Sequence, residues 1–396
     1  MTELDLVIVG GGPAGLSTAL HVHAAAPATR MLVLEAETYP REKICAGGVG
    51  ARALRTLDKL GITVDCPMVP LHAMTLRFAN DEVTVRDPDL GVVVRRVQFD
   101  HALARATMAR GIPVRDGTAV TAITPDLDHV RITLATGETL RTRAVVGADG
   151  VAGITRRQLG FPRGELRAQV VELDTEASPA DAPRDTIVFD FATRDLKGYA
   201  WDFPTLVSGA PLVCRGAYLL HAASGPHDSP KARITSYLAA RGLDVARYRL
   251  KQYAERGLEP EAELSRPRVL LVGEAAGIDI ATGEGIAQAI EYGALAGPYL
   301  ARALERDDLG FFDWRHHVDH RHLGKQLAIR HACYRLFYGE RRPTVERVLP
   351  RLPALIRVGL QDFAGKPLSR LDMVRGAGQF LAALAKLPLQ QKQNQS

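Results

Sequence analysis

The sequence has few cysteines, few aromatic residues and no long apolar run. Four cysteines (Cys45, Cys66, Cys214 and Cys333) are spread over 396 residues, without the close spacing of metal-ligand pairs. Such usage is typical of a reducing compartment and excludes a disulfide framework. No run of about 18 or more uninterrupted apolar residues occurs, so no membrane-spanning helix is predicted. The amino terminus shows no basic region or small-residue cleavage site, which favours a cytoplasmic location.

The charge balance limits the possible partners. Lysine and arginine number 50 and acidic residues 45, a net charge of +5, and no basic patch interleaved with aromatic residues indicates nucleic acid binding. The hydrophobic share of 46% is that of an ordinary globular protein. At about 100–200 residues per domain, the length predicts two or three domains.

The amino-terminal segment has the pattern of a dinucleotide-binding unit. An apolar run, residues 4–9, leads into Gly10, Gly12 and Gly15, which open a helical pattern. The first glycine permits a tight turn, the second lets the backbone approach a pyrophosphate, and the third allows close packing of helix on strand. Glu35 ends the next apolar run, where its carboxylate can accept hydrogen bonds from both ribose hydroxyls.

Two later segments resemble further parts of one known site. Asp149 follows a strand pattern in VVGADGVAGITRR, and Glu274 follows another in VLLVGEAAGIDIATGEGI. Together with the glycine motif they resemble the flavoprotein monooxygenase and geranylgeranyl reductase superfamily over residues 1–305. The resemblance implies FAD as the cofactor, with the three motifs binding its ADP part, its pyrophosphate region and its ribityl chain. A helix predicted from about Gly283 would direct its positive end at the flavin pyrimidine edge.

The resemblance also assigns individual residues to FAD. Arg96, in RRVQFDHAL, would lie near the flavin phosphates or ribityl chain, and Val120 would offer a backbone contact to adenine. Two positions depart from the family pattern: Glu274 replaces the usual Asp, and Gly153 replaces a Ser whose hydroxyl often supports the second motif. The expected FAD-binding residues are Gly10, Gly12, Ala14, Gly15, Glu35, Lys43, Cys45, Gly47, Gly48, Arg96, Val120, Asp149, Glu274, Gly283, Gly285 and Ile286.

Two features favour the reductase branch of the superfamily over the monooxygenase branch. The loop EKICAGGVG resembles the geranylgeranyl reductase loop beside the isoalloxazine. Cys45 could protonate the carbon opposite the hydride, or its loop could only shape the flavin site. The segment GYAWDFP resembles the Tyr-x-Trp-x-Phe-Pro box of the same family, although Leu196 replaces the Pro that often precedes it.

The aromatic box has a physical interpretation of its own. Tyr199, Trp201 and Phe203 alternate along a predicted strand, so their side chains project to one face. An aromatic wall suits an isoprenoid chain, with the Tyr199 hydroxyl as a polar handle. The alternative is that the three rings only pack a sheet core. The candidate catalytic residues are therefore Cys45, Tyr199 and Trp201.

The predicted fold is α/β: a discontinuous Rossmann-type, glutathione-reductase-like FAD-binding domain, an antiparallel-sheet substrate domain and a helical carboxy-terminal region. The expected order is FAD-binding domain (1–73), substrate-sheet hairpin (74–95), FAD-binding domain (96–165), substrate sheet (166–264), FAD-binding domain (265–305) and helical region with a polar tail (306–396).

The resemblance implies a reductase that saturates C=C bonds of a prenyl chain by hydride transfer from reduced flavin. An FAD-dependent monooxygenase or halogenase of specialised metabolism is the alternative enzyme, and a lipid or flavin carrier without catalysis is a third hypothesis. No second Gly-x-Gly-x-x-Gly unit follows a strand, so NAD(P)H would bind transiently, or a reduced electron carrier would replace it.

The basic carboxy-terminal region could rest on the inner face of a membrane or simply cap the flavin domain. His316 and His320 have a metal-compatible spacing, but a solvated helix face is the favoured interpretation, so no metal site is predicted.

Overall fold

The computed structural model describes residues 4–192, 197–221, 229–366 and 370–385. Leu196 and the polar tail (390–396) lie outside the described residues. The strands are β1 (Leu4–Val9), β2 (Met31–Leu34), β3 (Gly48–Gly50), β4 (Met68–Arg77), β5 (Glu82–Val94), β6 (Val114–Arg115), β7 (Val120–Pro125), β8 (Val130–Leu134), β9 (Thr139–Gly147), β10 (Arg167–Thr175), β11 (Thr186–Asp190), β12 (Gly198–Val207), β13 (Ala210–His221), β14 (Lys251–Arg256), β15 (Ser265–Arg266) and β16 (Val269–Leu271).

The helices alternate with strands in the first part of the chain and dominate the last part. They are α1 (Pro13–Ala25), α2 (Ala51–Asp58), α3 (Arg96–Ala109), α4 (Ile154–Gln158), α5 (Pro230–Ala239), α6 (Ile286–Arg306), α7 (Trp314–Asp319), α8 (His322–Phe337), α9 (Arg342–Val348), α10 (Pro353–Ala364) and α11 (Arg370–Ala385). No helix within the described ranges is both long enough and apolar enough to cross a bilayer.

The first sheet has a parallel centre and carries the glycine motif. Its main order is β15-β16-β9-β1-β2-β6, in which β1 runs parallel to β2 and β9, and β9 runs parallel to β16. The antiparallel pair β7–β8 joins the sheet through β9. Its strands read as continuous apolar runs because helices cover this type of sheet. The carboxyl ends of β1 and β16 therefore place the first and third motifs at one edge.

Helices α1 and α6 pack closely because α6 carries small residues where the two meet. A Cβ atom added to Gly293 would lie 2.5 Å from the Ser17 hydroxyl oxygen, and one on Gly297 would lie 2.4 Å from the Cβ of His21. Glycine at both positions lets the helix that follows the third motif lie against the helix that follows the first.

The second sheet provides one wall of a large cavity. Its order is β14-β10-β13-β12-β11-β4-β5-β3, and its strand pairs among the described residues are antiparallel except for the parallel pair β11–β4. Tyr199, Trp201 and Tyr218 on this sheet are buried with Tyr338 and Leu360 from the carboxy-terminal helices, in one hydrophobic core.

Three element boundaries differ from the sequence prediction. Strand β4 begins at Met68 rather than Met74, and Pro70 within it hides the strand pattern. The helical pattern that follows RRVQF predicts a start near Asp100, whereas helix α3 begins at Arg96. Helix α6 begins at Ile286 rather than near Gly283, because Gly283 has a φ of +69°, which a right-handed helix excludes.

Candidate functional site

A cavity of about 1530 Å³ opens between the two sheets and the carboxy-terminal helices. Ligand pockets commonly measure about 300–1,000 Å³, so this one has room for a large cofactor and a second molecule. All the residues that the sequence assigned to FAD line the cavity except Gly15, and Tyr199 and Trp201 line it as well. The structure therefore brings residues from distant parts of the chain to one place.

Of the three motif glycines, only Gly12 has open space where a side chain would project. Gly10 has a φ of +112°, and a Cβ there would lie 2.3 Å from the Ala148 carbonyl oxygen. A Cβ on Gly15 would lie 1.9 Å from the Gly10 carbonyl oxygen, so Gly15 is needed for packing and not as lining. A Cβ on Gly12 would meet nothing closer than 3.8 Å. Gly12 is thus the point where a ligand can approach the backbone.

Glu35 is held at the rim of this turn. Its Oε2 accepts a hydrogen bond from the Gly11 amide at 2.9 Å and contacts the Arg41 guanidinium at 3.1 Å. Its Oε1 accepts from the Glu37 amide at 3.1 Å. The carboxylate is therefore fixed beside the end of β1, the position that the ribose-binding prediction requires.

Two arginines stand over the open glycine. Arg96 makes a two-pronged ion pair with Asp100, at 2.7 and 2.8 Å, and Arg41 contacts the same carboxylate at 3.0 Å. A Cβ on Gly12 would lie 3.8 Å from Arg41 Nη2 and 4.0 Å from Arg96 Nη2. Burial lowers the pKa of Arg96, but Asp100 more than restores it, so the pKa lies above its usual value. Both guanidinium groups are placed to bind phosphate oxygens.

The second motif compensates for its missing serine. Asp149 Oδ2 accepts hydrogen bonds from the amide and the hydroxyl of Thr155, each at 2.8 Å. A Cβ on Gly153 would lie 2.3 Å from Asp149 Oδ1, so the carboxylate occupies the space that a serine side chain would need. Thr155 therefore supplies the motif with a hydroxyl group, which Gly153 lacks.

The third motif presents an acceptor to the cavity. Glu274 Oε2 accepts a hydrogen bond from the Tyr253 hydroxyl and lies 3.9 Å from Lys43 Nζ, which stands 3.4 Å from the centre of the Tyr253 ring. Glu274 Oε1 is buried and has no hydrogen-bond partner in the part of the chain that the structure describes. An unpartnered carboxylate oxygen at a cavity wall fits a ribityl hydroxyl. Burial lowers the pKa of Lys43, and Glu274 offsets part of that effect.

The Cys45 loop lies against the aromatic strand. A Cβ on Gly47, whose φ is +83°, would lie 1.9 Å from the Val94 carbonyl oxygen, and one on Gly48 would lie 3.0 Å from the Phe203 ring. The Cys45 amide donates a hydrogen bond to Glu172 Oε1 at 3.2 Å. Burial raises the pKa of the Cys45 thiol, so the sulfur stays protonated at neutral pH.

The aromatic wall has the orientation that the alternation predicts. Tyr199, Trp201 and Phe203 all line the cavity. Trp201 packs over Gly216, where a Cβ would lie 1.9 Å from the indole ring. The Tyr199 hydroxyl donates a hydrogen bond to the Thr282 carbonyl, so it anchors the loop before α6 as well as facing the cavity.

The carboxy-terminal helices close the cavity and are fixed to the flavin-binding part by charge. Arg330 on α8 contacts Asp279 and Glu284 at 2.6 Å each and Asp362 at 2.8 Å. Such a buried network holds α8 and α10 at one orientation. The apolar residues that the carboxy-terminal region adds to the cavity include Ile329, Leu336, Phe337, Tyr338, Ile356, Phe363 and Phe380.

Sequence reasoning missed four polar residues of the site. Arg41 and Asp100 hold the phosphate end, and Tyr253 and Glu255 line the cavity from β14. The available signal was the spacing of Tyr253 and Glu255 in KQYAER, because residues two apart on a strand share one face.

These features together define an FAD-dependent oxidoreductase. The open glycine, the rim carboxylate and the unpartnered Glu274 oxygen are compatible with a phosphate, a ribose and a ribityl hydroxyl of one FAD. Residues 3–306 match the family model described as the FAD binding domain, and the chain belongs to that family.

Curated relatives are named as reductases, and solved structures share the fold of this chain. The chain is 26% identical to digeranylgeranylglycerophospholipid reductase 1 of Methanococcoides burtonii, over 78% of this chain and 76% of the relative. It is 28% identical to the menaquinone reductase of Mycolicibacterium smegmatis, over 74% of this chain and 76% of the relative. A geranylgeranyl bacteriochlorophyll reductase-like protein from Thermoplasma acidophilum shares the fold, with a TM-score of 0.76, 17% identity and 98% of each chain covered. The flavin-dependent brominase Bmp2 shares it with a TM-score of 0.73 and 17% identity, over 96% of this chain and 98% of the brominase.

Proposed function

We propose that the protein saturates carbon–carbon double bonds of a polyprenyl chain carried by a lipid or a quinone. The observation that carries the proposal is the continuity of one cavity, from the polar cradle at Gly12 to the aromatic wall at Trp201 and on to apolar residues such as Phe380. The substrate names of both curated relatives, a digeranylgeranyl phospholipid and menaquinone, denote molecules with polyprenyl chains.

The chain's own residues account for binding and orientation. Gly12, Arg41 and Arg96 would hold the pyrophosphate, Glu35 the ribose, and Glu274 the ribityl chain. FAD, once bound and reduced, supplies a hydride. The wall of Tyr199, Trp201 and Phe203 would hold the alkene against the flavin and exclude water. The loop that contains Lys43, Cys45, Gly47 and Gly48 would shape the side of the flavin site that faces away from this wall.

Exposed apolar side chains indicate the route by which the substrate would enter the cavity. Ile329 lines the cavity and is 62% exposed, so it marks an opening beside α8. Val374 and Leu381 on α11 are 70% and 64% exposed. Apolar residues at a basic surface suit peripheral contact with a membrane that contains the lipid substrate. The electron donor would be NAD(P)H, bound transiently, or a reduced carrier protein.

The test is mass spectrometry of polyprenyl lipids and quinones after anaerobic incubation with the FAD-loaded protein and dithionite. The proposal predicts products heavier by two hydrogens per double bond. Products that gain oxygen or halogen, and only in air, would replace it with the monooxygenase or halogenase alternative. Retained FAD without any product would favour a carrier. Trp201→Ala is the matched variant, because it should keep FAD and lose the product.

A further inference from the structure

Glu255 is a cavity carboxyl that the assignments above leave unused. Strand alternation puts Tyr253 and Glu255 on one face of β14, and both side chains line the cavity. The Tyr253 hydroxyl donates a hydrogen bond to Glu274, the carboxylate proposed to bind the ribityl chain. Glu255, two residues after Tyr253 on the same strand face, is therefore the next cavity-lining side chain of β14.

The carboxyl faces the loop that precedes α6. A Cβ on Gly283 would lie 3.0 Å from Glu255 Oε2 and 3.3 Å from the Tyr199 hydroxyl. Glu255 Oε2 is buried and makes no hydrogen bond among the described residues. It therefore points into the region where the aromatic wall meets the expected flavin position.

The surroundings keep this carboxyl neutral. Burial raises the pKa of Glu255 well above its usual value, the nearby Glu274 and Asp279 raise it further, and Lys43 and the Tyr218 hydroxyl oppose the shift. Tyr199, Tyr253 and Cys45 complete the titratable groups around it, and the pKa of each is raised as well. The raised pKa favours the protonated form of Glu255, which is the form that can donate a proton.

The other groups at this wall that could donate a proton either already donate a hydrogen bond within the protein or are weaker acids than a carboxyl group. The hydroxyl of Tyr199 donates to the Thr282 carbonyl, that of Tyr218 to the Ile280 carbonyl at 3.1 Å, and that of Tyr253 to Glu274. The Cys45 thiol is a weaker acid than a carboxyl group. Glu255 Oε2, in contrast, has no hydrogen-bond partner among the described residues.

We propose that Glu255 is the catalytic acid of the reduction, an inference that rests on the proposed function. The hydride of the reduced flavin forms a C–H bond at one alkene carbon, and the π electrons form the second C–H bond with the Glu255 proton. Glu255 is left as a carboxylate and takes a proton from water before the next cycle. One hydride and one proton thus convert C=C to CH–CH, and the flavin is oxidised by two electrons.

The first measurement needs no turnover. Infrared spectra of the FAD-free protein, recorded well above pH 7, should show the carbonyl band of a protonated carboxyl group. Glu172 and Glu291, with pKa values of about 7, are then ionised. The band should lose intensity in Glu255→Gln and keep it in Glu291→Gln, the control for a buried carboxyl that does not line the cavity. Because burial also raises the pKa of Asp149, the change in intensity is the readout. A band of unchanged intensity in Glu255→Gln would overturn the proposal.

The second measurement is anaerobic kinetics with a polyprenyl substrate. Glu255→Gln should lower kcat about 100-fold or more with KM and FAD retention unchanged, because general acid catalysis contributes roughly 100- to 10,000-fold. Glu255→Asp should recover part of the rate, and Glu291→Gln should match the wild type.

The outcomes separate the two proposals. If the wild type makes saturated product and Glu255→Gln makes it equally fast, the function stands and the role of Glu255 is wrong. If Cys45→Ser abolishes turnover while Glu255→Gln does not, Cys45 is the acid. If the wild type makes no saturated product at all, the proposed function and the role of Glu255 both fail.

Discussion

Alanine at Gly12 and alanine at Gly15 should have opposite consequences, although both glycines belong to one motif. The backbone at Gly12, with φ −81° and ψ −177°, accepts any residue, and a methyl group there would meet nothing within 3.8 Å. We expect Gly12→Ala to change the stability of the FAD-free protein by about 0.5–1 kcal/mol, the effect of replacing a helix N-cap. The methyl group would instead occupy the space through which the FAD pyrophosphate is proposed to approach the backbone.

The cost of Gly12→Ala should appear in FAD affinity. Loss of one charge-assisted hydrogen bond to phosphate costs about 1.5–3 kcal/mol, which corresponds to a Kd roughly 10- to 150-fold higher. Gly15→Ala places its methyl group 1.9 Å from the Gly10 carbonyl oxygen. Such overpacking typically costs about 1–3 kcal/mol and should destabilise the FAD-free protein directly.

Two assays separate these effects: thermal unfolding of the FAD-free variants and titration of each with FAD by flavin fluorescence. The account predicts a near-normal unfolding temperature with weak FAD binding for Gly12→Ala, and early unfolding for Gly15→Ala. Normal FAD affinity in Gly12→Ala would refute the assignment of Gly12 to the phosphate contact.

Two further predictions concern the second sheet. Gly216→Ala should displace the Trp201 ring, 1.9 Å from the added methyl group, and lower the rate of substrate reduction while FAD remains bound; a rate equal to that of the wild type would contradict the packing of Trp201 on this glycine. Burial raises the pKa of Glu172 from 4.5 to about 7. The folded state therefore holds this proton more tightly than the unfolded state, and stability falls by up to about 3 kcal/mol as the pH rises between these two values. Urea unfolding across this pH range should show a smaller decline in the free energy of unfolding for Glu172→Gln than for the wild type. Equal declines would contradict the raised pKa of Glu172.

Much of the flavin site was predictable because its motifs are local. Each glycine of the first motif lies within a few residues of its strand and helix, so a short stretch of sequence specifies the turn. Likewise, the alternation in GYAWDFP predicts a shared face for Tyr199, Trp201 and Phe203, which line the cavity.

The missed features depend on contacts between distant residues. Arg41 lies in a loop and acquires its place from Asp100, which is 59 residues further along on helix α3. By contrast, Thr155 lies only two residues after Gly153, but its hydrogen bond to Asp149 depends on side-chain rotamers that the sequence does not show. The closure of the cavity by α8 and α10 depends on Arg330 and three carboxylates, two from the loop before α6 and one from α10.

A single anaerobic turnover tests most directly whether the FAD cradle and the apolar cavity form one reductive site. The holoprotein is reduced with one equivalent of dithionite and mixed with a polyprenyl lipid, and flavin absorbance is followed together with lipid mass. We predict that oxidised flavin returns in step with the gain of two hydrogens by the lipid, and that a fully saturated lipid leaves the flavin reduced. Flavin that stays reduced with every polyprenyl acceptor, and is oxidised only when oxygen is admitted, would contradict the account.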